Sequence, residues 1–109
     1  MAQGKRGARL EGTPEPHKMI PVGGGVSVAA DIYGDRGPLV ILQHGGGQTR
    51  HAWKSAGQHL ADAGYQAVSL DARGHGDSEW APDGNYSNDV LVDDLVAVVE
   101  HFGQQPILV

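Results

Sequence analysis

The sequence predicts an α/β fold, in which a mostly parallel sheet carries helices on both faces. Residues 38–42 form an unbroken apolar run of strand length, which ends at the glycine-rich turn 44–48. A segment of helical periodicity follows from about Arg50, and strand, glycine loop and helix in this order are typical of an α/β unit. Ligands of open α/β sheets bind at the carboxyl ends of the strands, so we expect the functional site near His44 to Gln48.

The chain before this unit predicts a tail followed by a hairpin. Residues 1–16 are rich in glycine, proline and charge and lack periodicity, so we expect a flexible tail and a domain that spans 17–109. Residues 18–22 and 26–33 are predicted to be two antiparallel strands, because three glycines join them.

The first helix is predicted to cover Arg50 to Ala63. Thr49 is its expected N-cap, and Gly64 is the expected residue after its end. Four apolar residues at helical spacing predict its buried face: Trp53, Ala56, Leu60 and Ala63.

A further strand, a second helix and a last strand complete the chain. Residues 65–70 predict a strand that ends at Asp71, the long loop 72–86 follows, and a helix starts at Ser87 and ends before Gly103. Its apolar residues recur at helical spacing: Leu91, Leu95, Val98, Val99 and Phe102. We expect the last strand, residues 106–109, to have an open edge beside an uncovered sheet face, which favours self-association.

Composition excludes several classes of function. The 109 residues suffice for one domain, and the net charge of -5 argues against a nucleic-acid binder that neutralises phosphates. There is no cysteine, so disulfides and thiolate chemistry are excluded. No apolar run approaches the roughly 18 residues of a membrane span, and no apolar segment follows the basic residues at the start. We expect a cytoplasmic protein that binds a small molecule and neither nucleic acid nor membrane.

The glycine loop suits the stabilisation of negative charge. Three successive glycines leave backbone amides open to close approach by a ligand, and a helix amino terminus behind them adds its positive dipole end. This arrangement fits either an oxyanion hole for acyl transfer or a phosphate cradle in a dinucleotide site.

Two motifs together resemble the amino-terminal portion of an α/β-hydrolase-fold enzyme. They are residues 44–48 (HGGGQ) and residues 71–78 (DARGHGDS), each placed after a strand. The similarity is to the branch of esterases, epoxide hydrolases and cofactor-free haloperoxidases, and it covers residues 18–109. It implies a partial α/β-hydrolase fold with strand order 1-2-4-3-5, in which strand 2 is antiparallel, and no cofactor.

The resemblance also assigns roles to residues. It implies that the backbone amide of Gly46, with Gly47 as the neighbouring candidate, donates to the oxyanion, and that His44 orients this loop without transferring a proton. The supporting positions that it implies are His44, Gly45, Gln48, Asp71, Arg73, Gly74, His75, Gly76 and Ser78.

The catalytic triad of the family is absent from this chain. The family nucleophile lies in a G-x-S-x-G elbow after the fifth strand, with the acid and base later in the sequence. Here the fifth strand is residues 106–109, where the chain ends. We therefore expect a portion of a hydrolase that acts on an ester or related bond and is inactive alone. An aspartate nucleophile would instead indicate an epoxide or haloalkane hydrolase.

Other interpretations are weaker. A triad of Ser78, Asp94 and His101 lacks the elbow, because no second glycine follows Ser78. The six histidines show no compact metal-ligand spacing. A dinucleotide-binding module would place its first two glycines at Gly45 and Gly47, but its third position falls on Arg50, whose side chain obstructs close packing of helix and strand. A non-catalytic fold fragment is a third alternative.

Overall fold

A mixed β-sheet with one helix on each face organises the protein, as seen in a computed structural model that describes residues 5–6, 15–44, 49–84 and 86–109. The strands are β1 (Lys5–Arg6), β2 (Lys18–Pro21), β3 (Ser27–Tyr33), β4 (Leu39–Gln43), β5 (Gln66–Leu70), β6 (Glu79–Trp80) and β7 (Pro106–Leu108). The helices are α1 (Lys54–Asp62), which a 3₁₀ turn precedes at Arg50–Trp53, and α2 (Asn88–Phe102). Neither helix is long and apolar enough to cross a bilayer, within the residues described.

The main sheet has five strands in the order β2-β3-β5-β4-β7. β3 is antiparallel to both of its neighbours, while β4 is parallel to β5 and to β7. Counted along these five strands, this is the order 1-2-4-3-5 with an antiparallel second strand, so the predicted topology is confirmed. The structure differs by adding a ribbon of β1 and β6, which was not predicted because two-residue strands carry no periodic signal.

Alternation along β4 divides the core between the two faces of the sheet. Leu39 and Ile41 pack in the cluster that Val98 of α2 joins, whereas Val40 and Leu42 pack in the cluster that contains Trp53 and Leu60. Successive side chains of a strand point to opposite faces, so an apolar run such as β4 needs cover on both. The two helices therefore lie on opposite faces, as predicted.

The buried face of α1 differs in part from the prediction. Trp53 and Leu60 pack against the sheet, but Ala63 is exposed because α1 ends at Asp62, and Gly57 is buried instead. Gly64 has a φ of 94°, which fits its predicted place after the helix. Thr49 is extended, but its side chain makes no capping hydrogen bond among the described residues.

The ends of α2 agree with the prediction. The Ser87 side chain accepts a hydrogen bond from the Val90 backbone amide, and Gly103 closes the helix in the left-handed conformation with a φ of 70°. Of its apolar residues, four pack against the sheet: Leu95, Val98, Val99 and Phe102.

Gly57 tests the packing of α1 on β3. A Cβ atom there would overlap the Tyr33 ring, so we expect Gly57→Ala to lower the free energy of unfolding by about 1–3 kcal/mol. Alanine in an open helix interior would instead raise it by about 1 kcal/mol. Urea unfolding distinguishes the two signs. Gly23→Ala is the control, because its Cβ would meet nothing and we expect a change within about 0.5 kcal/mol.

The outer edge of β7 tests self-association. Among the described residues β7 pairs only with β4, and Ile107 and Leu108 are each 51% exposed. We propose that this apolar edge pairs with a second copy, so Leu108→Lys should reduce self-association in sedimentation velocity. Val92→Lys is the matched control, because Val92 is likewise exposed, at 57%, but lies on α2 and not on β7. An equal effect of both variants would contradict pairing through the edge.

Candidate functional site

The carboxyl ends of β4 and β5 meet at one edge of the sheet. His44 follows β4, Asp71 follows β5, and the Ala72 backbone amide donates to Nε2 of His44 over 3.1 Å. The expected site is therefore built from two segments that are joined by a hydrogen bond. Gly45, Gly46, Gly47 and Gln48 lie outside the described residues, so the roles that the sequence assigns to them stay predictions.

A buried cluster of four charged side chains lies beside this edge, and we call Arg50, Asp31, Asp71 and Asp77 the Arg50 network. Nη1 of Arg50 donates to Asp71 Oδ2 over 2.6 Å and to Asp77 Oδ2 over 2.9 Å. Its Nε lies 3.1 Å from Asp31 Oδ2. The residue is 0% exposed, so one guanidinium holds together strand β3, the end of β5 and the loop that follows it.

The backbone of Arg50 is held as firmly as its side chain. Its amide donates to Asp71 Oδ1 over 2.6 Å, and its carbonyl accepts from Ser69 Oγ over 2.6 Å. Asp71 thus receives both the amide and the guanidinium of the same residue, one on each carboxylate oxygen. This fixes the first turn of the helical segment to the last residues of β5.

The sequence did not reveal the Arg50 network. From the sequence, Arg50 was only a side chain that would obstruct a glycine position of a dinucleotide site. In the structure its long side chain reaches three carboxylates. Burial alone would lower the pKa of Arg50, but hydrogen bonds to Asp71, Asp77 and Asp31 outweigh burial and raise that pKa above its ordinary value. The signals available were Asp71 at the end of one predicted strand, Asp31 within another, and Asp77 in the long loop 72–86.

The loop after β5 is closed on itself. Ser78 is fully buried, and its Oγ accepts from the Ala29 amide over 2.7 Å and donates to the Asp71 carbonyl. The Asp77 amide donates to Asp71 Oδ2 over 3.0 Å. Gly76 has a φ of 51°, and a Cβ there would overlap the Asp71 carboxylate, so glycine is required.

Arg73 ties this loop to α2. Its Nε and Nη2 each donate to one oxygen of Asp94 over 2.6 Å, and its side chain is 2% exposed. The hydrogen bond to Asp94 raises the pKa of Arg73, although burial opposes the increase. Asp94 is thus ion-paired with Arg73, and Ser78 is hydrogen-bonded to the backbone. His101 is exposed on α2, so these three residues do not form a triad.

The two remaining loop positions differ in their surroundings. Gly74 has a φ of 76° and lies against the Tyr86 ring, where a Cβ would be too close. His75 is exposed, its Nδ1 donates to the Arg73 carbonyl over 3.1 Å, and its ring centre lies 5.3 Å from that of His44. Two imidazoles therefore lie side by side where the two motifs meet, with their planes tilted by 50°.

A cavity of about 190 Å³ lies between this edge and α2. Apolar side chains form much of its wall, and three charged residues complete it: Asp71, Arg73 and Asp94. Asp71 is paired with Arg50, and Arg73 with Asp94, so each charged group in the wall already has a partner of opposite sign. Such a wall suits an uncharged group. Within the described residues, no three His, Asp or Glu side chains are grouped to hold a metal ion.

Comparison with known proteins agrees with this geometry. A family model described as the alpha/beta hydrolase fold matches residues 38–109. The chain is 37% identical over 73 residues to an esterase of Mycobacterium tuberculosis, and the aligned region covers 67% of this chain and 24% of the esterase. It is 37% identical over 71 residues to epoxide hydrolase B of the same organism, and the aligned region covers 64% of this chain and 20% of that enzyme.

A solved structure shows the same arrangement of elements. An epoxide hydrolase from Vigna radiata superposes with a TM-score of 0.77 and 32% identity, over 84% of this chain and 30% of that one. The chain thus spans about a fifth to a quarter of the length of the two curated relatives. On the family match, the relatives and the fold, the chain belongs to the α/β-hydrolase-fold family.

Proposed function

We propose that this chain supplies the oxyanion half of an enzyme that hydrolyses an ester or related bond of a small molecule. A nucleophile would attack the substrate, and backbone amides at Gly46, with Gly47 as the neighbouring candidate, would stabilise the oxyanion that develops. The observation that carries the proposal is the hydrogen bond between the Ala72 amide and His44, which joins the two motifs at the carboxyl ends of β4 and β5.

The contacts of His44 support an orienting role. Its Nε2 accepts from the Ala72 amide, so this nitrogen carries no proton and is not available to take one from a substrate. The adjoining cavity supports a small, uncharged substrate group, because the charges in its wall are already paired. The names of the relatives, an esterase and an epoxide hydrolase, are consistent with carbonyl or epoxide chemistry.

We further propose that the 109-residue chain does not catalyse turnover alone. The serine of its second motif, Ser78, is 0% exposed and already bonds two backbone groups, so it cannot reach a substrate. The matched region covers only 24% and 20% of the two relatives, which leaves room for a nucleophile, an acid and a base beyond it. A cytoplasmic location stays a prediction, with which the absence of cysteine is compatible.

Hydrolysis of p-nitrophenyl acetate tests this proposal. We expect the chain to hydrolyse the ester no faster than Ser78→Ala, in which the buried hydroxyl is removed, or than Ser55→Ala, in which an exposed hydroxyl of α1 is removed. If the reading frame continues past Val109, a G-x-S-x-G sequence and ester hydrolysis by the longer product are the expected results. Strong hydrolysis by the chain that Ser78→Ala abolishes, but Ser55→Ala does not, would contradict the proposal.

Epoxide hydrolysis is the second candidate function. It is favoured by the structural similarity to the Vigna radiata epoxide hydrolase and by the 37% sequence identity to epoxide hydrolase B. The family scaffold is shared, so the discriminating feature is an aspartate in place of the elbow serine. Assays of the longer product with styrene oxide and with p-nitrophenyl acetate separate the two. A dinucleotide site has no support from the third glycine position, which the buried side chain of Arg50 occupies.

A further inference from the structure

The Arg50 network reaches His44 through a short series of contacts. Arg50 donates its amide and its Nη1 to the two oxygens of Asp71. The next residue, Ala72, points its amide at Nε2 of His44. Asp71 and Ala72 are consecutive, so the orientation of the Asp71 carboxylate and that of the Ala72 amide are set by the same stretch of backbone.

We propose that Arg50 is a positioning residue, which holds His44 in the tautomer that carries its proton on Nδ1. The inference rests on the proposed function, because it concerns the residue that would orient the oxyanion loop. Arg50 is not proposed to contact the substrate. It acts through Asp71 and the Ala72 amide.

The tautomer follows from the direction of one hydrogen bond. A backbone amide can only donate, so the Nε2 atom that receives it must be an unprotonated acceptor. In a neutral imidazole the proton then lies on Nδ1, which leaves that atom as the donor of His44. The Ala72 amide therefore stabilises the Nδ1–H form, and movement of that amide away from Nε2 would remove this contribution.

The form of the network favours positioning over simple stabilisation. Apolar residues in place of all four charged side chains would fill the same space without taking charges out of water, and such replacements of whole buried ion-pair groups are often neutral or stabilising. A guanidinium instead offers donors in a fixed planar fork, which sets angles as well as distances. Here Nη1 spans Asp71 and Asp77 and so fixes both ends of the loop 71–77.

Nitrogen NMR of histidine tests the proposal on the chain as it is. With ¹⁵N-labelled histidine, the shifts of Nδ1 and Nε2 report the tautomer of His44 at a pH where the ring is neutral. We expect the Nδ1–H form alone in the unaltered chain. Arg50→Lys keeps the charge but loses the fork, and Asp71→Asn places an amide NH₂ against the donors of Arg50. In both variants we expect the single-tautomer signature to be lost.

Asp94→Asn is the matched control. It leaves Arg73, a second buried arginine, without its carboxylate, but it lies on α2 and makes no contact with the Arg50 network in the hydrogen bonds described. We expect Asp94→Asn to destabilise the fold while His44 keeps the Nδ1–H form. Circular dichroism confirms that each variant is folded before its histidine spectrum is interpreted.

Several results would overturn the proposal. They are an Nε2–H form in the unaltered chain, an unchanged tautomer in folded Arg50→Lys and Asp71→Asn, an equal change in Asp94→Asn, and the unfolding of both Arg50→Lys and Asp71→Asn, which would make Arg50 a residue of the fold alone. The histidine spectra do not depend on hydrolysis. A hydrolysis result that contradicts the proposed function would therefore leave the test of Arg50 intact, and the two proposals can be disproved separately.

Discussion

The pair formed by Arg50 and Asp71 is the interaction on which the arrangement of this site depends. Both residues are 0% exposed, and both carboxylate oxygens of Asp71 accept from Arg50 at 2.6 Å. Removing one partner of such a buried pair leaves an uncompensated charge, which costs about 3–5 kcal/mol. The geometry at the carboxyl ends of β4 and β5 therefore has few alternatives, because a shift of either segment would break charge-assisted hydrogen bonds in a buried environment.

The second motif is better described as a brace than as a source of reacting groups. Asp71 and Asp77 bind Arg50, Ser78 bonds to β3 and to the start of the loop, and Arg73 fastens the loop to α2. Each polar side chain of the motif that is buried is thus used within the fold. What this edge offers to a ligand is a cavity whose charged wall residues are ion-paired, with His44 beside it.

The sequence predicted the sheet and its helices because their signals are strong and local. An apolar run such as β4, helical spacing in α2 and glycines after helix ends each indicate one structure, and the family resemblance supplied the strand order. The role of Arg50 could not be predicted, since a charged residue in the first turn of a helix usually faces solvent. Its burial depends on three aspartates that are distant in sequence. Gly57 was overlooked for a similar reason, because only the position of the Tyr33 ring makes a larger residue unfavourable.

A double-mutant cycle measures how strongly Arg50 and Asp71 are coupled in the folded chain. The free energies of unfolding of Arg50→Met, Asp71→Asn and the double variant would be measured in urea and compared with that of the unaltered chain. If the pair acts as one unit, the coupling energy should be roughly 2–3 kcal/mol, because the second substitution removes a charge that the first has already left unpaired. Additive effects within about 0.5 kcal/mol would instead show that Arg50 and Asp71 act independently of each other.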